Sequence, residues 1–132
     1  MTPARPLPTD AELQVLRVLW ARGPSTPRDV HDALYAESDG AYTTALKLLQ
    51  NLLGKGLVTR DETGRPHVYE AAVPEDETLH GVLRQLIDRS FEGSAAALAM
   101  HALGARRASP DELAELKALI ERLEAAERSG GA

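Results

Sequence analysis

Apolar residues recur at helical spacing in six stretches of the chain and at strand-like spacing in two short ones. The stretch that organises the rest is residues 41–59, AYTTALKLLQNLLGKGLVT. Wound at about 100° per residue, it puts Ala45, Leu48, Leu49, Leu52 and Leu53 on one face. Thr43, Lys47, Gln50 and Gly54 fall along the opposite face, with Thr44 and Asn51 beside them and Leu46 on the border. The aliphatic side is what a core-facing helix needs. Gly56 is placed to end it as the left-handed C′ residue.

Upstream, residues 1–8 carry three prolines and read as a loose arm. Thr9 opens a helix with a capping box, Thr9 at the N-cap and Glu12 at N3. Leu13, Val15, Leu16, Leu19 and Trp20 give it an apolar stripe, and Gly23-Pro24 ends it. Thr26 followed by Pro27 is a second start signal, N-cap and N1. The helix it opens is expected to run to about Ala36 and to bury Val30, Ala33 and Leu34, with a turn at Ser38-Asp39-Gly40. Beyond the central helix, residues 57–60 and 68–71 are strand-like and flank a Gly-containing turn at 61–66, which predicts a β-hairpin. Three helices followed by a hairpin make a winged helix-turn-helix. Its third helix enters the DNA major groove and its hairpin is the wing.

After Val73-Pro74 the pattern changes. Residues 75–91 read as a helix with Leu79, Val82, Leu83, Leu86 and Ile87 at helical spacing, and with Asp76 or Thr78 as candidate caps. Glu92-Gly93 is a break, residues 94–103 form a short Ala-rich helix, and residues 104–108 form a loop. Ser109-Pro110-Asp111-Glu112 is a third start signature. The last helix runs to about Arg128 with Leu113, Leu116, Ile120 and Leu123 in one stripe, and residues 129–132 fray. Helices this short cannot bury stripes this apolar alone. They either pack back on their own domain or share a core with a second chain. The shared core is the simpler reading, with Leu79, Leu83, Leu86, Ile87, Leu98, Leu113, Leu116, Ile120 and Leu123 at its centre. The expected architecture is mainly α with a small β-hairpin. A winged helix-turn-helix DNA-binding domain covers residues 1–73, and a C-terminal helical dimerisation region covers residues 74–132. A C2 dimer suits DNA, because two recognition helices then face two half-sites.

Composition narrows the function. The chain has 132 residues, 43% hydrophobic but only 4% aromatic, so its core must be aliphatic. Without cysteine there is no disulfide framework and no thiolate metal site. His31, His67, His80 and His101 are scattered over different elements, with no HExxH spacing, no GxSxG and no Gly-rich phosphate loop. No enzyme, metal or cofactor is therefore expected. The start of the chain lacks the apolar run of a signal peptide, and no stretch approaches the roughly 20 apolar residues that span a bilayer. A cytoplasmic protein with no direct membrane insertion is expected.

The net charge of −5 argues against indiscriminate nucleic-acid binding. Its distribution is uneven: residues 1–73 hold 8 Lys and Arg against 9 Asp and Glu, and residues 74–132 hold 7 against 11. Between Tyr42 and His67 four cations (Lys47, Lys55, Arg60, Arg65) meet two anions (Asp61, Glu62), a modest positive patch. The central helix has no carboxylate to repel phosphate. Its Thr, Lys, Gln and Asn side chains can reach base edges and backbone. Thr43, Thr44, Lys47, Gln50 and the adjacent Asn51 are the expected groove-facing set. Lys47, Arg60 and Arg65 would meet phosphates, His67 lies on a wing arm, and Tyr42 packs on sugar or phosphate or sits half-buried at the helix entry.

The run YTTALKLLQNLLGKGLVTRDETGRPHVYEA, preceded by LPTDAELQVLRVLW, resembles the BlaI/MecI/CopY family of transcriptional repressors. So does FEGSAAALAMHAL followed by SPDELAELKALIERLE. The resemblance implies a homodimeric winged-helix repressor on a palindromic operator. It also implies release by proteolysis, triggered by a membrane-bound metallopeptidase sensor, with cleavage around Met100, His101 and Ala102. The copper-responsive branch uses C-terminal cysteines, which this chain lacks, and many relatives carry an Arg where Gln50-Asn51 stand here. Two other readings compete. One is a winged-helix protein-interaction module, which the acidic balance favours slightly. The other is a small-molecule sensor with an apolar ligand between its long helices, for which no converging polar groups are evident.

Overall fold

The computed structural model describes residues 6–36 and 41–130. The turn expected at Ser38-Asp39-Gly40 and the first five residues of the arm lie outside them. In chain order the elements are α1 (Asp10–Arg22), α2 (Pro27–Tyr35), α3 (Ala41–Lys55), β1 (Val58–Asp61), β2 (Val68–Ala71), α4 (Glu75–Ser90), α5 (Ala95–Ala105) and α6 (Pro110–Gly130). The chain is mainly α with one antiparallel hairpin, and its first part is a winged helix. Contacts divide the chain into two compact units, residues 1–86 and 87–132, so the division falls inside α4.

Local chemistry sets the helix starts. The Thr9 N–H donates to Glu12 Oε1 at 2.9 Å, and the Glu12 N–H donates back to Thr9 Oγ1 at 3.2 Å. The same reciprocal box joins Thr26 and Asp29 at 3.0 and 3.1 Å, with Pro27 at the first position of α2. Ser109 and Glu112 repeat it at the head of α6, at 2.9 and 3.1 Å. Each box satisfies two amides that a helix start leaves orphaned. The stop of α3 is equally local. Gly56 has φ +76, its N–H donates to the Leu53 carbonyl at 3.1 Å, and the Leu57 N–H donates to the Leu52 carbonyl at 3.0 Å. That is a Schellman closure, which needs a residue tolerant of positive φ at this point.

The core of the first unit is aliphatic with one tyrosine: Val15, Leu16 and Leu19 from α1, Val30 from α2, Ala45, Leu49 and Leu52 from α3, then Leu57, Val58, Tyr69 and Val73. Leu16, Leu49 and Leu52 are wholly buried and contribute roughly 1.5–3 kcal/mol each. β1 and β2 pair with Val58 opposite Ala71 and Arg60 opposite Tyr69. A third segment joins them: Ser25, between α1 and α2, exchanges backbone hydrogen bonds with Tyr69 at 2.9 and 2.8 Å. This bridge ties the helix-turn-helix to the wing. The Trp20 indole N–H donates to the Val73 carbonyl at 2.9 Å and pins the chain as it leaves the hairpin.

Several expectations are adjusted. Leu7 is half-buried rather than part of a loose arm: its carbonyl accepts from Lys55 Nζ at 3.2 Å, and its side chain lies against Gly81. On α2 the inward stripe is Pro27, Val30, His31 and Leu34, an i, i+3, i+4, i+7 series that leaves Ala33 exposed. The first strand starts one residue later than expected, because Leu57 is consumed in closing α3. Neither Asp76 nor Thr78 caps α4. The helix already begins at Glu75, and the Thr78 hydroxyl donates back to the Pro74 carbonyl at 2.9 Å. α5 runs to Ala105, two residues past the expected end, and Ser94 caps its start by accepting from the Ala97 N–H at 3.0 Å.

Two glycines near the end of α3 should respond oppositely to the same change. A Cβ on Gly54 would meet open space, so Gly54→Ala is expected to raise stability by about 0.4–1 kcal/mol. Gly56→Ala, at positive φ, is expected to lower it by about 1–2 kcal/mol. Urea unfolding of the two variants beside the parent checks both, and equal responses would overturn the assignment of Gly56 as the closing residue.

Candidate nucleic-acid interface

α3 presents two chemically opposed sides. Ala45, Leu49 and Leu52 are fully buried, with Leu48 and Leu53 half-buried beside them. Thr43, Thr44, Lys47, Gln50 and Asn51 are all exposed, as the 3.6-residue period requires. α3 contains no Asp or Glu. The five exposed side chains form a strip of hydroxyl, ammonium and carboxamide groups along its length. Lys47 has no ion-pair partner among the described residues.

Tyr42, the second residue of this helix, is half-buried. The Arg28 guanidinium lies 5.0 Å from its ring centroid, and the His31 ring meets it edge-on at 6.2 Å. Tyr42 also lines a cleft between α3 and the hairpin, shared with Pro27, Leu46, Arg65, His67 and Tyr69. The fold thus brings Tyr42 together with Arg65 and His67, which lie more than 20 residues further along the chain. Arg65 is exposed on the loop between β1 and β2, and His67 is half-buried beside it. That loop is shaped by Asp61, whose carboxylate accepts from the Thr63 hydroxyl at 2.6 Å and from the Thr63 N–H at 2.9 Å. These bonds, the hydroxyl foremost, hold the Asp61 carboxyl below its ordinary value.

Two of the four expected cations are already engaged. Arg60 donates to the Glu62 carboxylate, and its other nitrogen reaches the Tyr69 hydroxyl at 3.5 Å. The tyrosine and then the carboxylate raise the Arg60 pKa above its ordinary value. Lys55 turns inward: its Nζ lies 2.5 Å from Glu12 Oε1, and Glu12 is only 3% exposed. Burial alone would raise the Glu12 carboxyl. The Lys55 ammonium and the Thr9 N–H outweigh it and hold Glu12 below 4.5. Lys55 therefore belongs to the join between α1 and α3, not to the patch counted from sequence. Arg28 is the cation that pattern reading passed over. It stands outside the central stretch, and only the packing of α2 on α3 brings it to Tyr42.

The residues expected at a shared core carry much exposed apolar surface. Leu83, Leu86, Leu113, Ile120 and Leu123 are 42–60% exposed, and Leu79, Ile87, Leu98 and Leu116 are half-buried. Met100, His101 and Ala102 lie within α5; Met100 is 68% exposed, and the His101 ring stacks edge-on against Phe91 at 5.2 Å. Among the described residues no three His, Cys, Asp or Glu side chains converge as a metal site, and no helix is long and apolar enough to cross a membrane.

Three helices, a hairpin bridged to the helix-turn-helix and an acid-free third helix facing outward define a winged helix-turn-helix protein. The penicillinase repressor family model matches residues 8–122. The transcriptional regulator BlaI of Mycobacterium tuberculosis is 36% identical over 118 residues, covering 88% of this chain and 84% of that protein. The penicillinase repressor of Bacillus licheniformis is 25% identical over 113 residues, covering 86% and 88%. A solution structure of the DNA-binding domain of the repressor BlaI aligns with 58% of this chain and 93% of that one, at 28% identity and a TM-score of 0.49. The chain belongs to the penicillinase repressor family, the BlaI/MecI group of transcriptional repressors, and it is not an enzyme.

The Glu12–Lys55 pair makes stability depend on pH with a definite sign. A carboxyl whose folded pKa is depressed contributes stability above its ordinary pKa, and that contribution is lost as pH falls through the folded value. Lys55→Ala should cost about 1–3 kcal/mol at neutral pH, because it leaves a buried carboxylate with one partner fewer. The gap between variant and parent should shrink as pH falls below 4.5. Urea unfolding at stepped pH measures it, and a gap that stays constant into acid would exclude the pair as its source.

Proposed function

We propose that this chain is a cytoplasmic DNA-binding transcriptional repressor that acts as a homodimer on a palindromic operator. The observation that carries the reading is the strip on α3: five exposed polar or cationic side chains with no acid among them, backed by Ala45, Leu49 and Leu52 at zero exposure. Such a helix fits the major groove, where Thr43, Thr44, Lys47, Gln50 and Asn51 reach base edges. Phosphates are met by Lys47 and by Arg65 and His67 at the wing, and Arg60 joins them when it leaves Glu62. Tyr42 packs on the backbone at the helix entry. Residues 1–73 read the DNA and residues 74–132 join the two copies. The names of the M. tuberculosis regulator and the B. licheniformis repressor support the same reading.

The exposed leucine and isoleucine rows on α4 and α6 support the dimer, since water-facing side chains of that size mark an interaction surface. Two chains each holding one half-site bind with the avidity of both. A bound dimer would then silence transcription by occluding the promoter. In this proposal a membrane-bound metallopeptidase sensor triggers release, with the chain cut near Met100, His101 and Ala102. The exposure of Met100 is in its favour. Because that segment is helical, a protease would have to unwind it before cutting.

A mobility shift with a palindromic fragment from upstream of the protein's own gene tests the reading, and absence of a shift at low salt would end it. Lys47→Ala should weaken binding by roughly 1–3 kcal/mol at matched salt. An unchanged dissociation constant would remove Lys47 from the interface. Leu116→Asp should yield monomers and weaker operator binding while the first unit keeps its helical signal; a dimer surviving in sedimentation would contradict the proposed shared core.

A further inference from the structure

Arg28 is exposed on the first turn of α2, outside the central helix and outside the wing. Its guanidinium sits 5.0 Å from the ring centroid of Tyr42, which lies in the first turn of α3 and lines the cleft toward Arg65 and His67. A guanidinium held against a ring keeps N–H groups free for an anion, and its fork can meet phosphate oxygens two at a time. The stack also holds a long side chain in place, so less freedom is lost when an anion arrives. The neighbouring carboxylate does not neutralise it. Asp29 accepts from the Thr26 N–H at 3.0 Å and pairs with Arg22 at 3.7 Å. With Lys55 bound to Glu12 and Arg60 to Glu62, Arg28 is one of few cations near α3 that no carboxylate among the described residues engages.

We propose that Arg28, held over Tyr42, clamps a backbone phosphate of the DNA where one strand passes the cleft between α3 and the hairpin. The proposal rests on the DNA-binding reading above and adds to it a contact from α2. Arg28 stands on α2, away from the exposed strip of α3, so it positions the duplex without reading sequence. The bland alternative is that the stack only fastens α2 to α3.

Salt dependence separates the two. Each phosphate neutralised contributes about 0.9 to the slope of log affinity against log salt. The full chain is titrated by fluorescence anisotropy across a salt series. Two duplexes of equal length are used, the upstream palindrome and a mixed sequence. Arg28→Ala should flatten the slope by about 1 per bound protomer on both duplexes, with the ratio of their affinities and the melting temperature unchanged. Arg28→Lys, which keeps the charge, should retain most of the slope. An unchanged slope overturns the proposal, whether or not the melting temperature falls, and so does a loss confined to the palindrome, which would make Arg28 a base reader. If the parent chain binds neither duplex at low salt, the DNA-binding reading itself fails, an outcome distinct from failure at Arg28.

Discussion

The structure depends on burying one side of α3. Ala45, Leu49 and Leu52 are sealed against α1, α2 and the hairpin, and this fixes the rotation of the helix about its own axis. A helix whose inner stripe is wholly desolvated cannot roll without exposing leucine, at a cost of roughly 1.5–3 kcal/mol for each side chain. Thr43, Thr44, Lys47, Gln50 and Asn51 thereby inherit a fixed outward direction. The capping boxes, the Gly56 closure and the Ser25–Tyr69 bridge all serve that constraint by setting where α1, α2 and the wing begin and end around α3.

Electrostatics in this chain is a matter of placement rather than total. The net charge is −5, and two of the cations nearest α3 are drawn to carboxylates. Glu12 and Lys55 join the start of α1 to the end of α3, and in doing so move a positive charge from the surface to a seam. Arg60 and Glu62 form a more exposed pair, of a kind that contributes little to stability and can exchange partners readily. Around α3 and the wing, Lys47, Arg65 and Arg28 over Tyr42 are cations that no carboxylate among the described residues engages, and together they make a narrow patch. A narrow patch in an acidic chain favours a defined register over diffuse attraction to any polyanion.

Much of this was legible in the chain because the governing interactions are local. Thr9 with Glu12, Thr26 with Pro27, Ser109 with Glu112 and Gly56 all announce helix ends within four residues, and the period of α3 separates its two sides without tertiary information. What escaped was set by long-range pairing. Lys55 meets Glu12 across 43 residues and Trp20 meets Val73 across 53, and no spacing rule encodes either. Ser25 looks like linker, yet it is 2% exposed and bridges to β2. Arg28 belongs to another helix by sequence and comes to Tyr42 only through packing. Ala33 faces outward because alanine carries little hydrophobic signal, and the larger residues of α2 set its rotation.

The Trp20–Val73 bond has a practical consequence. Trp20 is the only indole in the chain, half-buried against the core, with its N–H tied to the carbonyl through which the hairpin hands over to α4. Its emission therefore comes from one site at a known joint, and no other fluorophore of its class overlaps it. An optical signal from this single ring would register whether the wing's outgoing strand stays seated on the first helix, without any label attached to the surface that faces away from the core.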